Sequence, residues 1–315
     1  MNFLIKNIIQ LSGKNIIFPF YHLISDDTCP HIRHLYPVKS IDQFKKELDF
    51  FQKHYDPITL KEIIFHLKNN TKADKPSFFL SFDDGLKECF TIIAPLLKEK
   101  NLSAAFFINS AFVDNQDLFY RYKISLLIES LKNNNSDFNR EKLLQLTYSD
   151  TVKIDILAKE NNLDFDLFLK KNRPYMNWSE IEDLKNQGFY IGAHSVDHPL
   201  YSQLSLEEQI QQTQQSLKIV QEKLSLEYKI FSFPFTDNGV SNQFFEWLFD
   251  EEKADLSFGT AGIKDDRFPF HLQRLPMDNN LGSPKYFALK NHLAYGLKRM
   301  FGKHLVNRKL KFHSK

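Results

Sequence analysis

Short apolar runs alternate with amphipathic helical segments along most of this chain, and this alternation constrains its fold more than any other feature. The runs at residues 16–21, 78–83, 104–109, 189–193 and 230–235 are rich in Phe and β-branched residues and read as buried strands, with weaker candidates at 256–260 and 271–276. Strands that alternate with helices pair in parallel and carry the helices outside the sheet. About seven such strands suit a barrel, so we predict an α/β barrel over residues 1–284.

The helical segments between these runs have recognisable starts. Thr59 and Glu62 form a T-x-x-E capping box, and the S-x-x-E form of the same pattern occurs at residues 179–182 and 205–208. Each pattern predicts the beginning of a helix that packs its apolar face on the sheet.

Two segments depart from the alternation. Residues 111–174 contain no clear strand but do contain apolar residues that can bury a helix face, so we predict a helical insertion. Residues 285–315 contain nine Lys or Arg and no Asp or Glu, whereas the rest of the chain has a net negative charge. This basic C-terminal tail resembles an interfacial helix, which predicts peripheral contact with an anionic membrane; the alternative is a solvated tail partly docked on the acidic body.

Composition excludes several classes of protein. Two cysteines, Cys29 and Cys89, are too few for a disulfide framework or a cysteine zinc cluster. The chain has 10 Gly in 315 residues and neither a G-x-G-x-x-G nor a Walker A pattern, and no recognition motif predicts a nucleic-acid partner. Polar residues interrupt the apolar segment 1–11, and no run approaches the ~18 residues of a membrane span, so we expect a cytoplasmic protein, with a membrane-peripheral location as the alternative.

Polar side chains follow three of the predicted strands. They are the sequences SFDDG at 81–85, HSVDH at 194–198 and SFPF at 232–235. Each has an ordinary explanation by itself: a turn, two exposed histidines, or the end of a strand. Because the carboxyl ends of parallel strands meet at one edge of a barrel, we expect these side chains to lie together.

Taken together, the three strand ends predict metal-assisted hydrolysis. Asp84, His194 and His198 make a two-histidine, one-carboxylate set that suits a divalent metal. Asp83 stands beside this set as a candidate base, which completes the groups that such a reaction needs.

The same motifs resemble a known family. SFDDG, then HSVDH, then FSFPF at 231–235 is the motif order of the polysaccharide deacetylases with a NodB homology domain, carbohydrate esterase family four. FYHLI at 20–24 is similar to the subgroup whose first strand carries a Tyr-His pair. The resemblance covers most of residues 16–276 apart from the insertion. It implies a distorted (β/α) barrel and an enzyme that removes an N-acetyl group from an amino sugar of a polysaccharide or glycan precursor.

The resemblance also implies a role for each matching residue. Asp83 would be the general base, and Asp84, His194 and His198 would hold a divalent metal, most often zinc. The backbone N–H of Phe235 would help to stabilise the oxyanion when metal-activated water attacks the acetamide carbonyl.

Two positions depart from the family pattern. The third motif of the family carries an Arg where this chain has Ser232, and we predict that Arg274, on the last strand candidate, supplies the missing guanidinium. The late general-acid histidine of the family is not evident. His271 lies near that place but out of register, and His22, at the end of the first strand, is another candidate for the acid or for substrate contact.

Substrate contacts and alternative functions follow from the same residues. We predict that His22, Pro234 and Trp178 contact the sugar, the last by packing against its ring. A deformylase or cyclic-amide hydrolase would use the same site. The two departures also leave a catalytically inactive carbohydrate-binding relative as an alternative from another class.

Overall fold

The computed structural model describes residues 2–133, 138–250, 253–280 and 282–308. Its strands are β1 (Ile16–Ile17), β2 (Pro19–Tyr21), β3 (Asp56–Pro57), β4 (Ser77–Phe78), β5 (Leu80–Phe82), β6 (Ala104–Ile108), β7 (Tyr190–Ala193), β8 (Ile230–Ser232), β9 (Leu256–Gly259), β10 (His271–Gln273) and β11 (Leu275–Pro276). Its α-helices are α1 (Asn2–Ser12), α2 (Ile41–His54), α3 (Leu60–Lys68), α4 (Ala94–Glu99), α5 (Tyr120–Asn133), α6 (Arg140–Leu144), α7 (Thr151–Glu160), α8 (Phe165–Asn172), α9 (Trp178–Asn186), α10 (Leu206–Leu224), α11 (Asn242–Asp250) and α12 (Pro284–Met300).

The main sheet is a nearly closed barrel. Its order is β10-β9-β8-β7-β6-β5-β2-β11, and every pair is parallel. β10 and β11 are two halves of one extended segment: the first half pairs with β9 and the second with β2. Counted this way, seven segments surround the barrel, which confirms the predicted α/β barrel of about seven parallel strands. A smaller parallel sheet, β1-β4-β3, lies at its amino-terminal edge.

Period-two alternation divides the strand side chains between two environments. Leu80 and Phe82 belong to the hydrophobic cluster under the outer helices, whereas Phe79 belongs to the cluster formed by the other strands' inner residues. Ser81 and Asp83 share the side of Phe79, where both contact Arg274. The apolar run therefore ends with polar side chains directed into the barrel.

Two of the three predicted helix starts are confirmed and the third is corrected. Thr59 caps α3 and Ser205 caps α10, each with a complete capping box. α9 begins earlier than the pattern at 179–182 indicates, because Asn177 and Glu180 form the capping box instead. The amide of Asn177 accepts the backbone N–H of Glu180 as a hydroxyl would.

The described part of segment 111–174 contains no strand and forms four α-helices, α5 to α8, joined by turns and loops. α5, α7 and α8 bury a second hydrophobic cluster that includes Ile124, Ile154 and Leu169. The same cluster contains Leu23 and Ile32 from the segment after β2. The insertion thus covers the edge of the barrel where the strands end.

The basic segment lies against the body of the protein as far as residue 308. α12 packs on α1 and α2. His292 is fully buried between the Ser12 hydroxyl at 2.8 Å and the Tyr55 hydroxyl at 2.9 Å. Arg308 is buried against Asp237 and Asp266. Residues 309–315 of the predicted tail lie outside the described residues. Within the described chain, no helix has both the length and the apolarity to cross a membrane.

Candidate metal centre and active site

Asp83 is held by a buried guanidinium. Arg274 Nη1 donates to Asp83 Oδ1 at 2.8 Å and Nη2 donates to Oδ2 at 2.7 Å, a bidentate pair. The hydroxyl of Ser232 also donates to Asp83 Oδ2, at 3.3 Å. Burial by itself raises the pKa of Asp83, but Arg274 and His194 outweigh it and hold the pKa below its usual value. Asp83 is therefore an oriented carboxylate that remains ionised at neutral pH.

Arg274 reaches this carboxylate from the closing segment of the barrel. It stands between β10 and β11, is fully buried, and donates a third hydrogen bond to the hydroxyl of Ser81 at 3.0 Å. Its guanidinium carbon lies 4.1 Å from the centre of the Phe20 ring, so an aromatic face covers the charge. The structure thus places Arg274 where the sequence prediction requires the missing guanidinium.

Asp84, His194 and His198 converge on one point. The Nε2 atoms of His194 and His198 lie 3.5 Å and 3.2 Å from Asp84 Oδ1. One ligand atom from each of the three lies within 4.8 Å of the other two, and all three side chains are buried. The residues come from the ends of β5 and β7, as predicted from their places after apolar strands.

The hydrogen bonds of His194 show that this set fits a metal ion. Its Nδ1 lies 2.8 Å from the carbonyl oxygen of Ser232, which can only accept, so Nδ1 carries the proton and Nε2 presents a lone pair. Nε2 and Asp84 Oδ1 are both buried without a hydrogen-bond partner in the described structure. Burial lowers the pKa of His194 to about 4, which keeps the imidazole neutral near pH 7. A divalent cation between the lone pair and the carboxylate would satisfy both atoms, so the set fits a metal ion.

The backbone is strained at the same place. Asp84, Ser195, His198 and Phe235 have φ values of 71°, 67°, 64° and 56°, a left-handed conformation that side chains other than Gly rarely adopt. Such residues concentrate at functional sites, because the surrounding structure must enforce them. Gly85, with φ 67°, continues the turn after the two carboxylates.

Tyr122 supports Asp84 from the helical insertion. Its hydroxyl donates to Asp84 Oδ2 at 2.9 Å, and its side chain is fully buried. This leaves Oδ1 to face the two imidazoles. The insertion therefore orients a candidate metal ligand as well as covering the barrel edge.

Removal of this one hydroxyl tests that role. We expect Tyr122→Phe to lower the affinity for Zn²⁺ about 10–100-fold, because groups that hydrogen-bond to metal ligands orient them and adjust their basicity. Titration calorimetry with Zn²⁺ measures the change. Tyr201→Phe is the matched control, since its buried hydroxyl contacts Thr213 at 2.8 Å and not the site. Equal affinities of the wild type and Tyr122→Phe would show that Asp84 needs no such support.

A cavity of about 420 Å³ opens above these groups. Asp83, Asp84 and His198 lie among its lining residues. The other lining residues are mostly aromatic or basic, and they are Phe20, His22, His34, Leu35, Tyr36, Phe119, Arg121, Leu144, Phe233, Phe235 and Thr260. The rings of Phe119 and Phe235 lie with their centres 4.2 Å and 4.6 Å from that of His198. The cavity can therefore place a small polar molecule against the carboxylates and between aromatic walls.

His22 lines the cavity opposite the metal ligands. Its Nδ1 lies 2.7 Å from Asp278 Oδ2, and its backbone N–H donates to Asp278 Oδ1 at 3.1 Å. Burial lowers the pKa of His22, but Asp278, with smaller effects of Asp84 and Asp83, raises it to about 9. His22 is thus a protonated group that can donate to a molecule in the cavity.

Phe235 lines the cavity, whereas Pro234 and Trp178 are not among the residues that line it. The N–H of Phe235 has no acceptor within the described residues. Pro234 is buried behind Phe235, and its carbonyl accepts the N–H of Thr236. Trp178 starts α9, packs on the hydrophobic core and lies 5.8 Å from the ammonium of Lys223. The predicted ring-stacking role of Trp178 does not fit this position, because the half-buried ring is not among the residues that line the cavity.

His271 is buried in a hydrogen-bond network away from the cavity and does not line it. It lies between the Ser257 hydroxyl at 2.6 Å and Asp237 Oδ2 at 3.1 Å. Asp237, Asp266 and His271 are close enough together to suggest a second metal site. Arg308 occupies that position, however, with hydrogen bonds of 2.6 Å and 2.5 Å to the two carboxylates. An internal guanidinium therefore already supplies the cation.

Sequence reasoning missed Tyr122 and Asp278. Asp278 follows the end of β11 by two residues, so the rule that polar residues after strands converge could have found it. Tyr122 carries no comparable signal, because it lies inside a helix of the insertion.

Comparison with protein families identifies the class of this enzyme. The model for polysaccharide deacetylases matches residues 70–243, a segment that includes both carboxylates and both histidines. The match covers more than half of the chain, and the chain therefore belongs to the polysaccharide deacetylase family. This is a family of carbohydrate N-deacetylases, hydrolases that act on a carbon–nitrogen bond, and the chain is an enzyme of this class.

Solved structures share the fold. The deacetylase PplD of Streptococcus pyogenes, in complex with acetate, is 14% identical, with a TM-score of 0.59 over 88% of this chain and 97% of that chain. The de-N-acetylase from Aggregatibacter actinomycetemcomitans is 16% identical, with a TM-score of 0.57 over 86% and 99%. IcaB from Ammonifex degensii is 15% identical, with a TM-score of 0.57 over 88% and 98%. A search of the curated proteins found no match.

Proposed function

We propose that this enzyme is a metal-dependent hydrolase that removes an N-acetyl group from an amino sugar of a polysaccharide or glycan precursor. The observation that carries the proposal is the pairing at the cavity floor: Asp83, fixed by Arg274, lies beside a metal-type set of Asp84, His194 and His198. Acetamide hydrolysis needs both a proton acceptor and an electrophilic centre within reach of one carbonyl.

The protein groups divide the proton transfers between them. Asp83 accepts a proton from the attacking water, and its two hydrogen bonds to Arg274 hold it in position. His22 lines the same cavity and gives a proton to the departing amine nitrogen, while Asp278 fixes its ring through Nδ1. The backbone N–H of Phe235, which has no acceptor among the described residues, donates to the oxyanion that forms on the acetamide oxygen.

Two imidazoles and one carboxylate with open positions suit Zn²⁺. A metal bound by Asp84, His194 and His198 supplies Lewis acidity, which polarises an amide carbonyl and makes water more acidic. Elemental analysis of the purified protein identifies the ion.

The lining of the cavity fits a sugar. Aromatic rings from Tyr36, Phe119 and Phe235 offer flat apolar surfaces, and Arg121 and His34 offer hydrogen-bond donors at the rim. Most ligand pockets combine such apolar walls with a few placed polar groups. The cytoplasmic location predicted from the sequence, with its membrane-peripheral alternative, remains a prediction.

Acetate release from a panel of N-acetylated amino sugars and oligosaccharides tests the proposal. We expect turnover of at least one substrate by the wild type, and a loss of about 100-fold or more in Asp83→Asn, because the amide cannot accept the proton. Asp42→Asn, on the exposed side of α2, is the matched control and should retain full activity. Release of formate from formamido sugars, with no release of acetate, would show that the enzyme is a deformylase and not a deacetylase. A wild type that turns over neither class of substrate would favour the inactive carbohydrate-binding relative.

A further inference from the structure

α12 has two opposite faces. Ala288, His292 and Tyr295 recur at helical spacing and are buried against α1 and α2. The opposite face exposes the apolar side chains of Tyr286, Leu293, Leu297 and Met300, and the exposed Phe301 follows directly as the C-cap residue. A helix that has already buried one face in the protein has no internal use for a second apolar stripe.

The exposed stripe is large for a surface feature. Its five side chains are between 51% and 79% exposed. Exposed apolar residues scattered singly are normal, but a contiguous row of them marks an interaction surface. The positions 286, 293, 297 and 300 or 301 follow the spacing of one helix face, so the five side chains lie in one row.

The charged residues of α12 itself are all basic and the neighbouring α1 has no acidic residue, whereas α2, the other helix that α12 packs on, carries Asp42, Glu47 and Asp49. Lys290 is exposed within the stripe, and Lys298 and Lys303 are exposed at its carboxyl-terminal end. No Asp or Glu occurs from residue 279 to the end of the chain, or before residue 26, and α1 is the neighbouring helix. Acidic residues elsewhere outnumber basic ones. The protein therefore presents a basic, apolar face on a body of opposite charge.

We propose that this exposed face of α12 docks the protein on an anionic lipid bilayer. Such a surface places its apolar side chains at the boundary between headgroups and acyl chains, and its lysines among the headgroups. Anionic lipids attract each basic residue near the surface, and the attraction decreases as salt rises. The opposite face of α12 stays packed on the protein, so docking needs no unfolding.

The charges favour a bilayer over a second copy of the chain. A symmetric dimer through this face would bring each stripe against the same stripe of its partner. Lys290, within the stripe, would then approach basic residues with no acidic residue in α12 to compensate. An anionic lipid surface supplies the missing negative charge.

α12 also lies near the active site. Phe287 and Asn291 of α12 line a hollow of about 410 Å³ that also includes Thr260. Thr260 in turn lines the active-site cavity. The amino-terminal half of α12 therefore borders a hollow that adjoins the active-site cavity.

Vesicle co-sedimentation with the full chain tests the proposal. We expect the wild type to bind vesicles of mixed phosphatidylcholine and phosphatidylglycerol, to bind pure phosphatidylcholine much less, and to be released by high salt. A Leu293→Ser/Leu297→Ser/Phe301→Ser variant should bind at least about tenfold more weakly, as should Lys290→Glu/Lys298→Glu. Deletion of residues 285–315 is unsuitable, because it would uncover core residues that α12 buries.

Matched controls carry the same substitutions elsewhere. Phe65→Ser/Leu167→Ser removes exposed apolar side chains of other helices, and Lys218→Glu reverses an exposed charge on α10. These controls should bind vesicles as the wild type does, and all variants should keep wild-type thermal unfolding. Equal binding by the stripe variants and the wild type would overturn the proposal. If the wild type does not bind anionic vesicles but forms dimers, and the stripe variants do not dimerise, the exposed face of α12 is a dimer interface and the lipid proposal is wrong.

Discussion

Replacement of His194 by alanine is expected to reduce acetate release by at least about 10³-fold and bound divalent metal to background. The imidazole presents an unprotonated Nε2 beside Asp84 and is fixed by its hydrogen bond to the Ser232 carbonyl. Loss of one of three ligands removes both metal affinity and the several kcal/mol of charge stabilisation that a metal contributes, which corresponds to a factor of this size.

Metal content and acetate release are measured on the same His194→Ala preparation. His66→Ala is the matched control, since that imidazole contacts Thr71 at 2.9 Å on the surface of α3. The control should keep wild-type metal content and rate. If the His194→Ala protein is active and binds metal stoichiometrically, His194 is not a ligand and the proposed metal centre is wrong.

Arg274→Ala is expected to have the largest effect on stability. The substitution leaves the Asp83 carboxylate buried without its bidentate partner, and removal of one member of a buried ion pair costs about 3–5 kcal/mol of the free energy of unfolding. Turnover should fall as well, because Asp83 loses its orientation. Arg274→Lys keeps the charge but not the planar pair of donors. Its free energy of unfolding and its turnover should therefore lie between those of the wild type and Arg274→Ala.

The pH dependence of the free energy of unfolding distinguishes loss of the Asp83–Arg274 ion pair from loss of packing alone. In the wild type the lowered pKa of Asp83 stabilises the folded state above the carboxyl's usual pKa, about 4, and this stabilisation is lost as the pH falls through the folded-state value. In Arg274→Ala the effect of burial is no longer opposed by Arg274, so the pKa of Asp83 should be higher than in the wild type and the stabilisation above pH ~4 should be smaller or reversed. Chemical unfolding between pH 3 and 8 measures both curves. Unchanged turnover in Arg274→Ala would refute the predicted guanidinium role.

The site could be predicted to the extent that its residues end strands. Asp83, Asp84, His194 and His198 each follow an apolar run, and parallel strands in a barrel bring their carboxyl ends to one edge. Arg274 was found by a different route: the family's third motif carries an Arg where this chain has Ser232, and Arg274 lies in the last strand candidate. The physical basis is that the strand pattern and its ends are local properties of the sequence.

Residues whose role depends on tertiary packing could not be predicted in this way. Tyr122 reaches Asp84 only because α5 packs across the barrel edge, and no pattern within α5 indicates that position. Trp178 shows the opposite case: a large aromatic residue suggested a sugar platform, but its half-buried ring packs on the hydrophobic core and does not line the cavity. Exposed aromatic surface is a property of the assembled chain.

The segment β10–β11, which closes the barrel between β9 and β2, also carries the counter-ion of the candidate catalytic carboxylate Asp83. Asp83 and Arg274 are separated by 191 residues, and Arg274 arrives with the segment that joins β9 to β2. A growing chain that has folded its first six barrel strands still holds Asp83 beside an open gap, with no guanidinium to neutralise it. Closure of the sheet and neutralisation of the Asp83 carboxylate therefore depend on the same segment, so the barrel cannot open there without leaving that charge unpaired.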